Sequence, residues 1–175
     1  MKAEIKLPEV IPDSNLQSDN RRTTYGTLST KNTFINAQGL LHFDAHFRNI
    51  LTDGHRLYFT DFGLAISARF ELSESESLFF ETHRDYDRLY TRTHLVNWLL
   101  RTLFGGENRD SLLQEFSEGR ELKGIAPAIA TIIRRDAPIA IIMNRFFQKF
   151  QSETRTAEFP VLEFALEEIS HEAAF

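Results

Sequence analysis

The chain has 175 residues, of which 42% are hydrophobic and 26% are charged, and its formal net charge is −5. This composition excludes a disordered chain and argues against a general nucleic-acid binder, because it supplies apolar side chains for a core and no basic excess. Cysteine is absent, which excludes disulfides and thiolate metal sites and is typical of a cytoplasmic protein. The longest apolar run, Ala137 to Met143, is far shorter than the roughly 20 residues of a membrane-spanning helix. We therefore expect neither nucleic acid nor membrane among the partners.

The N-terminal part of the chain lacks a regular pattern. Pro8, Pro12 and a polar run up to residue 22 predict an extended or loosely ordered segment over residues 1–22. From residue 23 we expect one globular unit that continues to residue 175. Its first element is expected to be a helix over residues 23–38, which carries apolar residues on one side.

Residues 39–65 show the clearest pattern of strands and turns. The apolar run 40–43 predicts a short strand that leads into a loop. Two further apolar runs, 49–51 and 56–60, flank the dipeptide Asp53-Gly54. Asp-Gly between apolar runs is typical of a β-hairpin turn, so we expect a hairpin here.

The chain is predicted to be mainly helical after Ala65. Apolar residues recur at helical spacing over residues 85–104, and Trp98 and others fill most of the remaining circumference near the end. This pattern predicts a helix buried in the middle of the fold, ended by Gly105, with Trp98 and the phenylalanines in the core. The fold class is therefore α+β, mainly α-helical, with one small hairpin.

The remaining helices are predicted from caps and prolines. Asp110 is expected to cap a helix over 111–118, with Ser111 and Gln114 as a capping box. Pro138 predicts two separate helices, over 126–135 and 139–151, and Pro160 predicts the start of a last helix that covers 161–169. The acidic stretch that contains Glu71, Glu74 and Glu76 is expected to be a solvated loop, and its position would also suit substrate selection.

The chemistry is indicated by the pattern His42-x-Asp44-x-His46-x-x-Asn49, which the hairpin separates from Asp61-Phe62-Gly63. Magnesium prefers hard oxygen ligands, and the carboxylate of Asp61 and the amide of Asn49 supply two of them. The hairpin folds the chain back, so both side chains are expected to face one cavity. Asp44 lies on a loop, where its carboxylate can orient an incoming hydroxyl for phosphoryl transfer.

This segment resembles the catalytic core of the protein-kinase-like superfamily. The second histidine, His46, makes it most similar to the aminoglycoside phosphotransferase and choline kinase type. The resemblance implies that Asp44 is the catalytic aspartate. It also implies that Asn49 and Asp61 hold magnesium on ATP, the co-substrate. Two further residues are implied to shape the site: His42 packs beneath the D-F-G turn, and Gly63 lets that turn adopt its backbone shape.

The resemblance also implies an architecture and an activity. The chain would form a C-terminal lobe, with the catalytic loop, hairpin and D-F-G turn at 39–65, the central helix at 85–104 and a helical subdomain at 110–175. An aspartate near the start of the central helix, Asp85 or Asp87, would brace the catalytic loop. The implied reaction transfers the γ-phosphoryl group of ATP to a hydroxyl acceptor, preferably a small molecule over a protein.

Several features depart from the family pattern. Phe43 replaces an arginine of many protein kinases, so the usual charge partner of a phosphorylated activation loop is absent. There is no G-x-G-x-x-G sequence and no recognisable strand with a phosphate-binding lysine. We therefore expect that the β-rich lobe over the nucleotide is missing, and that a separate lobe or partner chain would have to supply it.

Other interpretations stay open at this point. His46 would be a ligand, a substrate contact or a packing residue. The chain would alternatively be a non-catalytic remnant or interaction module with the ancestry of a kinase lobe. His42, Asp44 and His46 occupy alternate positions, so on a strand they would face one side and could hold zinc in a metal-dependent hydrolase.

Overall fold

The computed structural model describes residues 35–52, 57–152 and 156–172. The described part is mainly helical with two small sheets, which confirms the α+β, mainly α-helical class. The strands are β1 (Leu40–Leu41), β2 (Ile50–Thr52), β3 (Leu57–Phe59) and β4 (Ile66–Ser67). The helices are α1 (Glu74–Thr82), α2 (Tyr86–Phe104), α3 (Arg109–Ser117), α4 (Pro127–Ser152) and α5 (Val161–Glu172). None of these helices is long and apolar enough to span a bilayer.

The predicted hairpin is confirmed by the antiparallel pairing of β2 and β3, in which Ile50 lies opposite Phe59. Its expected turn at Asp53-Gly54 lies outside the described residues. A second antiparallel pair, of β1 with β4, sets Leu41 opposite Ile66 and was not predicted. This pair closes the segment that contains both motifs into one loop, because it joins the residues before the first motif to those after the second.

Helix α2 is the central helix, as the sequence predicts. Its buried residues contribute to two apolar clusters, one shared with α3 and α4 and the other with α4, α5 and Phe159. The expectation that most sides of α2 are buried is wrong at its C-terminal end. There Val96, Leu99 and Leu100 form one buried stripe, whereas Trp98 is 39% exposed and lies outside the core. Several phenylalanines are also exposed, so abundance of this residue did not predict burial.

Helix α4 runs without interruption through Pro138, so the prediction of two helices is wrong. A proline inside a helix costs roughly 3 kcal/mol, because it removes one N–H and clashes with the preceding turn. Tertiary packing offsets this cost on both sides of the proline. Ala137 and Ile139 are buried against α2, and the buried carboxylate of Asp136 accepts from the Arg92 guanidinium at 2.7 Å.

Helix α1 corrects the expectation of a solvated loop. Ser73 caps the helix: its hydroxyl accepts from the Glu76 N–H, and the Glu76 carboxylate accepts from the Ser73 N–H at 2.8 Å. This is a capping box, and its S-x-x-E signal is present in the sequence. Conversely, Asp110 does not cap α3, because the helix starts two residues earlier than predicted, at Arg109, after Asn108 in a left-handed conformation.

The N-terminal predictions fall almost wholly outside the described residues. This holds for the extended segment over 1–22 and for the expected helix at 23–38, of which only residues 35–38 are described; residues 35–37 are helical and residue 38 is in a turn.

Candidate active site

The loop that follows β1 is held by Asp87, in the first turn of α2. The buried carboxylate accepts the backbone N–H of His42 through Oδ2 at 2.6 Å and that of Phe43 through Oδ1 at 2.8 Å. Burial raises the pKa of Asp87, and the two backbone hydrogen bonds act in the opposite direction. The expected brace is therefore Asp87, whereas Asp85 is exposed and pairs with Arg88 at 3.1 Å.

Phe43 adopts a strained backbone conformation at the centre of this brace. Its φ is 60°, a region that bulky side chains rarely occupy and that costs about 1–3 kcal/mol. Its ring packs against Phe79 of α1 and Tyr86 of α2, with centroids 5.5 and 5.0 Å away. Phe43 is thus held in this conformation by aromatic packing and by Asp87.

His42 connects the loop to the second motif. The side chain is 1% exposed, Nε2 donates to the Thr60 carbonyl at 2.9 Å, and Nδ1 accepts from the Asp44 N–H at 3.3 Å. The ring lies 4.8 Å from that of Phe62, so it packs against the D-F-G turn as the resemblance implies. Both ring nitrogens are therefore engaged in hydrogen bonds that connect the two motifs.

Asp44 and Asn49 are joined directly. The Asn49 amide donates through Nδ2 to the Asp44 carbonyl at 3.0 Å and to the Asp44 carboxylate oxygen Oδ2 at 2.8 Å. The Asn49 carbonyl in turn accepts the backbone N–H of Thr60 at 2.9 Å. Since Nδ2 serves Asp44, Oδ1 is the atom with which Asn49 would bind a cation.

The hairpin register brings the two motifs together. Ile50 pairs with Phe59, so the preceding Asn49 lies beside Thr60, and Asp61 follows immediately. Asp61 is exposed and has a left-handed backbone, with φ 60° and ψ 67°, before a short 3-10 helix at Phe62–Leu64. Three described non-glycine residues have a positive φ, and two of them, Phe43 and Asp61, lie in the two motifs, one in each.

The role predicted for Gly63 is wrong. Its φ is not in the left-handed region, and the unusual backbone of the turn belongs to Asp61. A Cβ added at Gly63 would meet Oδ1 of Asp61 at 3.4 Å, which is ordinary contact. Gly63 therefore leaves space beside the Asp61 carboxylate and does not supply the backbone freedom of the turn.

His46 lies on the other side of Asp44. Its Nε2 is 3.5 Å from Oδ1 of Asp44, and its Nδ1 accepts from the Arg48 N–H at 3.2 Å as the N-cap of a 3-10 helix at Phe47–Asn49. The His94 ring lies 6.4 Å away. Burial lowers the pKa of His94, and the neighbouring His46 adds to this shift.

One face of α2 underlies the loop and was missed by the sequence analysis. The Thr91 hydroxyl donates to the Ala45 carbonyl at 3.2 Å, and the Tyr90 ring meets that of His94 edge-on at 4.4 Å. Burial, together with the negative charge of Asp44, raises the pKa of Tyr90 to about 12. The signal that could have found this face is helical spacing, since Thr91 and His94 follow Asp87 at four and seven positions.

The zinc interpretation is not supported by the geometry. The zinc interpretation assumed that His42, Asp44 and His46 lie on a strand and face the same side. Residues 42–46 form a loop, so this arrangement of side chains does not exist. Both nitrogens of His42 are already hydrogen-bonded. Within residues 35–52, 57–152 and 156–172, no three or more His, Cys, Asp or Glu side chains form a group that could hold a metal ion.

Comparisons with known proteins give no match. No family model, no curated protein and no solved structure matches this chain.

Proposed function

We propose that the chain is the catalytic-loop lobe of an ATP- and magnesium-dependent phosphotransferase with a protein-kinase-like fold, most similar to the aminoglycoside phosphotransferase and choline kinase type. It transfers the γ-phosphoryl group to a hydroxyl, preferably of a small molecule. The observation that carries the proposal is the pair of bidentate contacts around one loop. Asn49 donates to two oxygens of Asp44, and Asp87 accepts the two preceding backbone N–H groups.

These contacts support Asp44 as the residue that orients the acceptor. Its side chain is partly exposed, while Asn49 holds one carboxylate oxygen. In a loose phosphoryl-transfer transition state the hydroxyl proton leaves late, so alignment of the nucleophile contributes more than base strength. The proton then passes from the acceptor oxygen to the Asp44 carboxylate.

Asn49 and Asp61 are the residues proposed to hold magnesium. Both present hard oxygen donors, and the hairpin register sets Asn49 beside Thr60, the residue directly before Asp61. Bound magnesium would neutralise charge on the ATP phosphates. The left-handed backbone at Asp61 supports this role, because strain of this kind concentrates at functional sites.

Titration calorimetry with ATP, with and without magnesium, tests the proposal. Because the proposed ligands Asn49 and Asp61 lie on this lobe, we expect weak magnesium-dependent nucleotide binding by the wild-type chain even without a nucleotide-covering lobe, and its loss in Asp61→Ala. The matched control is Asp110→Ala, which removes an exposed carboxylate on α3, and it should bind as the wild type does. Unchanged binding in Asp61→Ala, or no magnesium-dependent binding by the wild type, would contradict the proposal.

A second candidate is an interaction module without turnover. Large apolar side chains after the D-F-G turn are exposed, with Leu64 at 66%, Phe70 at 64% and Leu78 at 70%. Exposed apolar surface of this kind marks interaction sites when it is contiguous. Self-association on a sizing column, with no effect of ATP and magnesium on the thermal midpoint, would favour this candidate. A monomer that magnesium and ATP stabilise would count against it.

A further inference from the structure

His46 is held by the loop in one orientation. Its Nδ1 accepts the backbone N–H of Arg48 at 3.2 Å, and this contact caps the 3-10 helix that ends at Asn49. The ring is only partly exposed, and His94 of α2 lies beside it, with centroids 6.4 Å apart. The imidazole is thus a fixed part of the loop that carries Asp44.

The cap decides which ring nitrogen carries the proton. A nitrogen that accepts a hydrogen bond has no proton, so in the neutral ring the proton is on Nε2. Nε2 is the nitrogen that faces Oδ1 of Asp44 at 3.5 Å. A neutral ring in this tautomer has no lone pair left for a cation and cannot accept a proton from Asp44 at Nε2. This argues against the ligand role for His46 and against a proton relay.

The carboxylate of Asp44 therefore has a side-chain nitrogen beside each of its oxygens. The Asn49 amide donates to Oδ2 at 2.8 Å, and His46 Nε2 lies 3.5 Å from Oδ1, close enough for an electrostatic contact but without hydrogen-bond geometry. Rotation of the carboxylate would weaken one of the two interactions. We propose that His46 is a positioning residue that, with Asn49, fixes the plane of the Asp44 carboxylate toward the acceptor hydroxyl. This inference rests on the proposed phosphotransferase function.

His46→Asn is the decisive variant. Asparagine is a favoured N-cap, so its side-chain oxygen keeps the contact with the Arg48 N–H, but its amide is too short to reach Asp44. With magnesium and ATP as the substrate and water as the acceptor, we expect kcat to fall about 10- to 100-fold with KM for ATP unchanged. His46→Ala loses both contacts and should also lower the thermal midpoint. Wild-type kcat in His46→Asn would overturn the proposal.

A measurement that needs no turnover separates this inference from the proposed function. A long-range ¹H–¹⁵N spectrum of the histidine rings should show His46 with its proton on Nε2, and its ring signals should shift in Asp44→Asn. A proton on Nδ1, or no shift, would overturn the positioning role. If these spectra behave as expected while the wild-type chain shows no magnesium-dependent ATP binding, the phosphotransferase function fails and the local geometry stands.

Discussion

The contact between Asp87 and the loop yields the sharpest prediction about stability. Asp87→Ala removes both acceptors from the N–H groups of His42 and Phe43, which lie 45 and 44 residues earlier in the chain. No element other than α2 supplies these hydrogen bonds in the described structure. The substitution therefore tests whether a long-range contact holds the loop in its strained form.

The magnitude follows from two opposing effects. A hydrogen bond to a charged group contributes about 1.5–3 kcal/mol, so two of them contribute about 3–6 kcal/mol. Without the contact to Asp87, Phe43 could leave its positive-φ conformation, and this would recover about 1–3 kcal/mol of backbone strain. The midpoints of the two ranges, about 4.5 less about 2, lead us to expect that Asp87→Ala lowers the free energy of unfolding by about 2.5 kcal/mol.

Urea denaturation followed by circular dichroism measures this loss, with linear extrapolation to water. Asp85→Ala is the matched control, because Asp85 precedes the same helix but pairs with Arg88 on the exposed surface. Such surface pairs contribute at most about 1 kcal/mol. If the two variants have the same stability, the bidentate contact does not hold the loop and the reasoning is refuted.

Two further predictions concern the aromatic residues around this loop. Phe43→Gly should be more stable than Phe43→Ala by up to about 1 kcal/mol in the same urea assay. Both variants lose the ring, but only glycine accepts a φ of 60° without strain. The reverse order of stability would argue against the left-handed conformation of Phe43. The His83 ring stacks on Phe79 and Phe159, and burial lowers its pKa from 6.5. The unfolded chain therefore binds a proton at a higher pH than the folded chain, so stability should fall as pH drops below about 6.5. His83→Gln should show a smaller loss of thermal midpoint over that range, and an identical pH dependence would contradict this assignment.

Much of the secondary structure could be predicted from local patterns. The apolar runs around Asp53-Gly54 predict the hairpin, and helical spacing over 85–104 predicts α2. Both predictions are possible because each pattern depends on residues that are close in the sequence. The capping box at Ser73 and Glu76 carried an equally local signal for α1, which the acidic composition of the stretch obscured. The residue types of the candidate site could also be predicted, because the motif is defined by residue types and their spacing in the sequence.

The geometry of the site required contacts between distant segments. Nothing near His42 in the sequence indicates that Asp87 accepts its N–H, and choosing Asp87 over Asp85 needed the orientation of α2. The same reason explains the continuous helix through Pro138: a local rule predicts a break, but burial of both halves against α2 outweighs the missing hydrogen bond. Periodicity and turn chemistry act over a few residues, whereas strain at Phe43 persists only because packing from two helices and a buried carboxylate hold it in place.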